Sequence, residues 1–487
     1  MTMRLLDAFF EHAVRTPGAA AVCHYSPDGS LSRLVSYRTL AALVAGLSNH
    51  LSRTQAAGSR ILLALPNGPG FVVSYLACLD AGFTAVPIPP DLALCELQQT
   101  IAQASVTAAI ADGPASAVLA AAGIPCLHPE ALRGYEADDA ARPRCAGGSL
   151  ILGTSGTTGP PRRVVREAHA LDAVTANVVE CVRLSPDDRV LAAIPQHHSY
   201  GIENVLMGPI CAGASIHTVS TVDRAGLVRI LHQAKPTVFP GVPFLFDMLA
   251  RIPEAHGGLS SVRCAYSAGG RLPYSVFAAF RETHGISVGQ LYGATEYGSV
   301  TFSDPMRTDF DPQSAGLPMR GVSLRVVSSE HPDVTRPCPP GVVGRVAVSA
   351  PSMMSRYADD GDSPLSDGWL VTGDLGRLSD SGNLTLVGRM SLLIDVAGKK
   401  VNPNEVEEAI GACPGVAECV VLPLPVTDTL TRLKALVVPV PGHAGLDAAS
   451  IRRHLRPRLS AYKIPRLFEI RDRLPKTALG KIRRDLL

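Results

Sequence analysis

Apolar positions set the frame of this chain before any motif does. Residues 61–66 (ILLALP) are apolar throughout and predict a buried strand. Residues 70–82 (GFVVSYLACLDAG) carry apolar side chains at helical spacing, and 84–88 (TAVPI) predict a second strand closed by Pro89 and Pro90. Strand, helix and strand in succession make a βαβ unit, which implies a parallel sheet. The alternation returns with a helix over 98–106 and a strand over 107–111. It returns again with a helix near 225–233, a strand at 237–240, a helix near 243–251 and a strand at 262–267. Alternation over this length predicts an α/β fold.

From about residue 340 the texture changes, with short strand patterns at 343–349 (VGRVAVS), 369–371 and 383–387 (NLTLV). A smaller unit begins after Gly388 and Arg389. There Asn402 can cap a helix, Pro403 takes its first position, and Glu405 stands where a capping-box acid belongs. That helix should end before Pro414 and Gly415, to be followed by strands over 418–423 and 433–439 and a helix near 448–459. The expected organisation is a large N-terminal domain, 1–388, of layered α/β subdomains plus a β-rich subdomain, and a small mobile α+β domain, 389–487.

Composition narrows the class. The chain has 487 residues, 46% hydrophobic and 18% charged, which suits a globular protein with a large aliphatic core. Eleven cysteines are scattered singly from Cys23 to Cys419 without a CxxC pair, so reduced thiols are expected and not a zinc site or a disulfide framework. Asp7 and Glu11 interrupt what would be the apolar core of a signal peptide, and no apolar run reaches the length of a membrane span. A cytoplasmic protein is the expectation. A formal charge of +2 gives no footprint for nucleic acid, and the basic C-terminal stretch is interleaved only with Tyr462 and Phe468.

Five segments could carry chemistry. Residues 151–162 read ILGTSGTTGPPR, a strand running into a loop of Gly, Ser and Thr that suits either a polyphosphate or a mobile surface turn. It is not a Walker loop, because Gly153 and Gly159 are one residue too far apart and no Gly-Lys-Ser/Thr follows. Residues 291–298 read LYGATEYG, a strand end and turn in which Glu296 can face water or hold a cation. Residues 372–376 read TGDLG, where a carboxylate in a turn can accept two ribose hydroxyls. Residues 388–407 contain GR followed by GKKVNPNEVE, and 475–484 read PKTALGKIRR.

In this order and wording the segments resemble the acyl/aryl adenylate-forming superfamily, which includes acyl-CoA synthetases, aryl-acid ligases, luciferases and peptide-synthetase adenylation domains. The resemblance runs from near Leu5 to Lys481. It implies ATP and Mg²⁺ as cofactors, a carboxylic acid as substrate, and coenzyme A or an acyl or aryl carrier protein as acceptor. It further implies that Thr154, Ser155, Gly156, Thr157, Thr158 and Gly159 hold the β- and γ-phosphates, and that Tyr292 and Gly293 lie along the adenine and the acyl site. Thr295 would contact the α-phosphate, Glu296 would bind Mg²⁺, and Asp374 would grip the ribose with Arg389 nearby. Lys481 would bridge carboxylate and nucleotide during adenylation, and rotation at a joint near Ser391 would then remove it. The chemistry agrees: a carboxylate approaching an anionic phosphate needs cations and positioning more than acid–base groups. Three positions depart from the family pattern: Arg162-Arg163 for Lys-Gly, Ser391 for Asp or Lys at the joint, and an added Lys400.

The acid is read from 195–201, PQHHSYG, which looks like the family segment opening the acyl pocket around His198 and Tyr200. Amino-acid-activating relatives place an aspartate where His198 stands, while Glu203 lies five residues on. His198 is a candidate for direct catalysis and for lining the pocket, while His197 and His198 equally fit a helix start with satisfied imidazoles. Gly269 and Gly270 would form the wall beside the acyl group, which suits a flat ring or an alkyl chain. An apolar aryl or acyl acid is therefore expected. The alternatives are an amino-acid adenylating enzyme, a luciferase-type oxygenase and a nucleotide-binding relic. Residues 451–487 carry twelve lysines and arginines against three acids, a formal +9 that leaves −7 for the rest. That stretch is either a solvated face or a dock for an acidic carrier protein.

Overall fold

The computed structural model describes residues 3–92, 94–128, 147–154, 162–219, 224–358, 364–392, 394–396, 399–427, 430–442, 445–459, 461–476 and 482–487. Contacts divide the chain into two compact units, Met1–Ser323 with Ser349–Leu370, and Leu324–Val348 with Val371–Leu487. The expected joint at 388 falls inside the second unit.

Two sheets build the first unit. Six parallel strands form the heart of the larger one, in the order Val288–Ala294, Cys264–Ser267, Val238–Gly241, Arg189–Ala192, Ser215–Val219 and Ala20–Tyr25. Antiparallel neighbours flank both sides, Leu31–Ser36 beside Ala20–Tyr25, and Gly298–Ser303 beside Val288–Ala294 with the short strand Leu317–Pro318 outside it. The other sheet runs Arg356–Tyr357, Arg163–Arg166, Ser149–Gly153, Thr84–Pro87, Arg60–Ala64, Ala108–Ala111 and Cys126–Leu127. All its pairings are parallel except the two made by Arg163–Arg166. The helix Pro69–Asp80 is apolar on every side, and Phe71 to Val73 and Tyr75 to Leu79 are at most 2% exposed. A helix without a polar face has to sit inside the core.

This topology sets where chemistry can occur. In open parallel sheets ligands collect beyond the carboxyl ends of the strands, where loops diverge and helix N-termini point. Thr154 leaves Ser149–Gly153 at that end, and Gln196–Tyr200 follow Arg189–Ala192. Gly269 and Gly270 follow Cys264–Ser267, while Thr295 and Glu296 follow Val288–Ala294.

The second unit carries a four-stranded sheet, Ser323–Val327, Gly344–Ser349, Leu370–Leu378 and Leu384–Arg389. Beyond it come a short hairpin, Ile394–Val396 with Lys399–Val401, and a three-stranded sheet, Val416–Thr427, Leu430–Pro439 and Leu467–Ile470. The helices Pro403–Gly411 and Ala448–Leu455 pack Val406, Ile410, Ile451 and Leu455 against Val421, Leu433, Ala435 and Val437.

Several boundaries differ from the apolar pattern. The strand expected at 369–371 runs on to Leu378, and those expected at 418–423 and 433–439 extend to Val416–Thr427 and Leu430–Pro439. Ladder hydrogen bonds need no apolar side chain, so pairing continues through Thr431 and Arg432. The last long helix stops at Leu455, short of 459: Arg456 keeps helical geometry and its N–H bonds Arg452 O, but Pro457 has no N–H with which to continue the ladder. Asn402 caps its helix by accepting from Asn404 N–H at 3.1 Å, but the capping-box acid does not close the motif. Lys463 holds the Glu405 carboxylate at 2.6 and 2.7 Å instead. Among the described residues every cysteine is a free thiol, and no helix is long and apolar enough to cross a membrane.

Candidate active site

The strands Ser149–Gly153 and Arg163–Arg166 form a hairpin whose connecting residues, Ser155, Gly156, Thr157, Thr158 and Gly159 among them, lie outside the described residues. Its base is fixed. Thr154 N–H donates to Arg162 O at 2.9 Å, and Arg162 N–H donates to Thr154 Oγ1 at 3.0 Å. The two arginines standing for Lys-Gly diverge. Arg163 Nη2 donates to Thr100 Oγ1 at 2.5 Å, tying the strand to the helix Leu94–Gln103. The Arg162 guanidinium lies 3.5 Å above the centre of the Tyr357 ring, and Tyr357 O–H donates to Glu296 Oε1 at 3.5 Å. Arg162, Tyr357 and Glu296 thus form a clasp between the base of the Gly/Ser/Thr loop and the YGATE turn. Met354 N–H fixes the turn further by donating to Glu296 O at 2.7 Å.

The YGATE hairpin is tightly built. Tyr292 is buried and accepts a 2.6 Å hydrogen bond from Tyr297 O–H. A Cβ on Gly293 would collide with the carbonyl of Gly298, so a side chain is excluded where the hairpin twists. Gly298 is left-handed, with φ +68°, and a Cβ there would also sit 2.7 Å from Arg166 Nη2. Thr295 and Glu296 are half-buried in the turn.

The QHHSYG segment is clamped to the loop after Arg60–Ala64. Asn67 Nδ2 donates to Ile194 O at 2.8 Å, Gln196 N–H donates to Asn67 Oδ1 at 2.8 Å, and Gly68 N–H donates to Gln196 Oε1 at 3.1 Å. His198 stands at the N-cap of a single turn, Ser199–Ile202, with its ring 4.5 Å from that of His197. Burial, helped by the adjacent His198, pushes His197 down to about 3, and burial also lowers His198. Both rings are therefore neutral near pH 7 and offer hydrogen bonding without charge. Tyr200 O–H donates to Gly241 O at 3.2 Å, and its burial raises the phenol well above the ordinary tyrosine range. Gly269 and Gly270 are exposed, with Val242 and Pro243 no nearer than 3.7 and 3.9 Å to an added Cβ. Space is open where the acyl wall was expected.

Sequence reasoning missed the buried network beneath this face. Arg166 is 0% exposed and pairs with Glu203, 1% exposed, through Nη1 and Oε1 at 2.5 Å. Ser199 O–H donates to the same oxygen at 2.6 Å, while Ser299 donates to Oε2 through N–H at 2.9 Å and O–H at 2.7 Å. Glu203 is thereby committed internally. The sequence offers only an arginine after the valine pair Val164-Val165, and spacing does not join 166 to 203.

In the second unit Asp374 and Arg389 are register partners on adjacent strands, and Arg389 Nε donates to Asp374 Oδ1 at 2.7 Å. Thr372 Oγ1 accepts from Asp374 N–H at 3.0 Å. Ser391 lies in the turn Met390–Leu392 that follows. Lys481 is outside the described residues, but its flanks are pinned: Lys476 and Ile482 form an antiparallel bridge, and Arg483 N–H donates to Pro475 O at 2.9 Å.

The model of the AMP-binding enzyme family matches residues 9–358, and that of the AMP-binding enzyme C-terminal domain matches 405–481. The chain belongs to the AMP-binding enzyme family. Among AMP-binding enzymes it is 30% identical to an indoleacetate–CoA ligase of Aromatoleum aromaticum, covering 99% of this chain and 97% of that one. It is 31% identical to an anthranilate–CoA ligase of Pseudomonas aeruginosa over 95% of this chain and 92% of that one. ATP-bound MatB from Rhodopseudomonas palustris superposes with a TM-score of 0.89 at 25% identity, over 100% of this chain and 98% of that chain. The two-domain AMP-binding architecture and the clasp at Glu296 therefore occur together in this chain.

Proposed function

We propose that this AMP-binding enzyme activates an aromatic or other apolar carboxylic acid with ATP, releasing pyrophosphate, and then passes the acyl group to a phosphopantetheine thiol of coenzyme A or of a carrier protein. The observation that carries the reading is the Arg162–Tyr357–Glu296 clasp, which sets a carboxylate beside the base of the phosphate-type loop. The similar ligases named for indoleacetate and anthranilate support an aromatic acid.

In this reading Thr154 to Gly159 hold the β- and γ-phosphates, Thr295 meets the α-phosphate, Tyr292 and Gly293 flank adenine and acyl group, and Asp374, oriented by Arg389, takes the ribose hydroxyls. Magnesium suits Glu296. Among the described residues no group of three or more His, Cys, Asp or Glu forms a protein cage, and Mg²⁺ is commonly held by one or two carboxylates plus substrate phosphates. Bound there, Mg²⁺ supplies positive charge to the pyrophosphate leaving group. Lys481 adds charge at the reacting carboxylate, and the joint at 388–392, with 389–487 as the small mobile domain, withdraws it for the thiol step.

The acid carries no α-ammonium group. Neutral His198 stands at the position that would need a carboxylate, and Glu203 is occupied by Arg166 and two serines. Burying an unpaired ammonium there would cost on the order of several kcal/mol. Pyrophosphate exchange across a panel of aryl, fatty and amino acids tests the reading. Aryl acids should drive Mg²⁺-dependent exchange and yield AMP. ADP and phosphate as products would sink the mechanism, and an L-amino acid outperforming the others would refute the acid class.

A further inference from the structure

Three segments flank the proposed nucleotide and acid sites, and each continues into one buried cluster. Arg166 ends the strand that follows the phosphate-type loop. Ser199 lies within QHHSYG and Glu203 in the turn just beyond it, and Ser299 is the second residue of the strand Gly298–Ser303 that follows YGATEY. The Glu203 carboxylate collects all three: Arg166 Nη1 at 2.5 Å, Ser199 O–H at 2.6 Å, and Ser299 through N–H and O–H at 2.9 and 2.7 Å. Asn204, also buried, extends the cluster by donating to Ser299 Oγ at 3.3 Å and accepting from Tyr266 O–H at 3.1 Å. The guanidinium is packed so closely on the YGATEYG hairpin that a methyl group at Gly298 would lie 2.7 Å from Nη2.

Stability alone does not account for this arrangement. A buried ion pair loses hydration on both sides, and apolar side chains of similar volume commonly hold a core as well or better. The Glu203 carboxylate, with fixed lone-pair directions, instead takes one bond from Arg166 Nη1 and three from Ser199 and Ser299, which supply defined angles, while Arg166 Nε and Nη2 are buried without hydrogen-bond partners among the described residues. Shape-tolerant apolar packing would let the segments slide against one another.

We propose that Arg166 and Glu203 are a positioning pair, holding the phosphate-loop strand, the His198 turn and the Thr295–Glu296 hairpin in mutual register for attack of the acid on ATP. The inference rests on the adenylation reading above. Neither residue touches substrate, since both are fully buried. Each flanking segment still makes its own ground-state contacts without the pair. What the pair supplies is alignment of the reacting groups, and a displacement near 1 Å costs on the order of 10²-fold in rate.

The test is the double variant Arg166→Met with Glu203→Gln. It removes both charges together, so no orphaned ion is left, and the glutamine oxygen still accepts from Ser299. Thermal melting and pyrophosphate-exchange kinetics are measured beside the wild type. The expected result is a melting temperature within a few degrees of wild type, kcat for exchange lowered at least about 10-fold, and KM for ATP and for the acid each changed less than about threefold. Arg166→Lys with Glu203 intact should recover part of the lost kcat, because the charge and one donor to Glu203 return while the rigid planar group that Arg166 packs on the hairpin does not. A double variant with wild-type kcat overturns the proposal and leaves the pair as core filling. A lowered melting temperature with unchanged kcat per folded molecule does the same. Absence of acid-dependent exchange in the wild type would instead sink the adenylation reading, and the inference with it.

Discussion

Burial decides how single residues behave at this site. His197 has an imidazole pushed from 6.5 to about 3, first by burial and then by its neighbour His198. The folded chain thus resists a proton that the unfolded chain accepts. Stability conferred by the neutral ring is complete above pH 6.5 and is lost progressively as pH falls from 6.5 towards 3. His217, lowered to about 4 mainly by burial, adds to the same acid limb. The His197→Asn variant should lose less stability between pH 7 and pH 5 than the wild type, read from denaturant midpoints at the two values. Equal losses would show that the ring reaches water. In the proposed acid pocket the neutral His197 and His198 rings would add hydrogen-bonding groups without adding charge.

At the scale of elements, the hairpin ends around Lys481 carry the sharpest expectation. Its flanks are fixed by the Lys476–Ile482 bridge and by Arg484, whose Nη1 donates to Val421 O at 2.7 Å and whose Nη2 pairs with Glu407 at 2.5 Å. Lys481→Ala should slow adenylate formation about 10²-fold or more while leaving thioester formation from supplied acyl-adenylate much less affected. Equal loss in both half-reactions would make the lysine structural. The parallel α/β layers were legible in the sequence because strands such as 61–66 and 84–88 are buried on both faces and read as unbroken apolar runs. The motif segments were legible because glycines and small residues are needed where chains turn sharply, as at Gly293 and Gly298. The Arg166–Glu203 contact was not, since it depends on strand order that no local pattern encodes. Element ends were missed where backbone pairing outlasted the apolar run, as beyond Leu433, or where one proline cut a helix short.

For the whole molecule, charge is divided very unevenly. Residues 451–487 hold a formal +9 in a chain whose total is +2. Part of it is engaged locally: Arg452 donates to Arg466 O and lies over the Phe468 ring, while Arg453 and Arg456 are exposed. If an acidic carrier protein is the acceptor, Arg453→Glu with Arg456→Glu should raise its KM, more so at low salt, without altering pyrophosphate exchange. Efficient transfer to coenzyme A that is indifferent to both changes would leave the basic face merely solvated. The order in which the large sheet is assembled has a different consequence, for synthesis. Ala20–Tyr25 lies between Leu31–Ser36 and Ser215–Val219, with Val22 paired to Ile216. At typical translation speeds the second neighbour leaves the ribosome about 10–40 s after the first. Arg356–Tyr357, the outer partner of Val164 and Val165, comes later still. During that interval the nascent chain carries an apolar strand with one side unpaired, a template for wrong partners, so each round of production depends on chaperone cover or on hairpin closure with Leu31–Ser36 to keep that strand in solution.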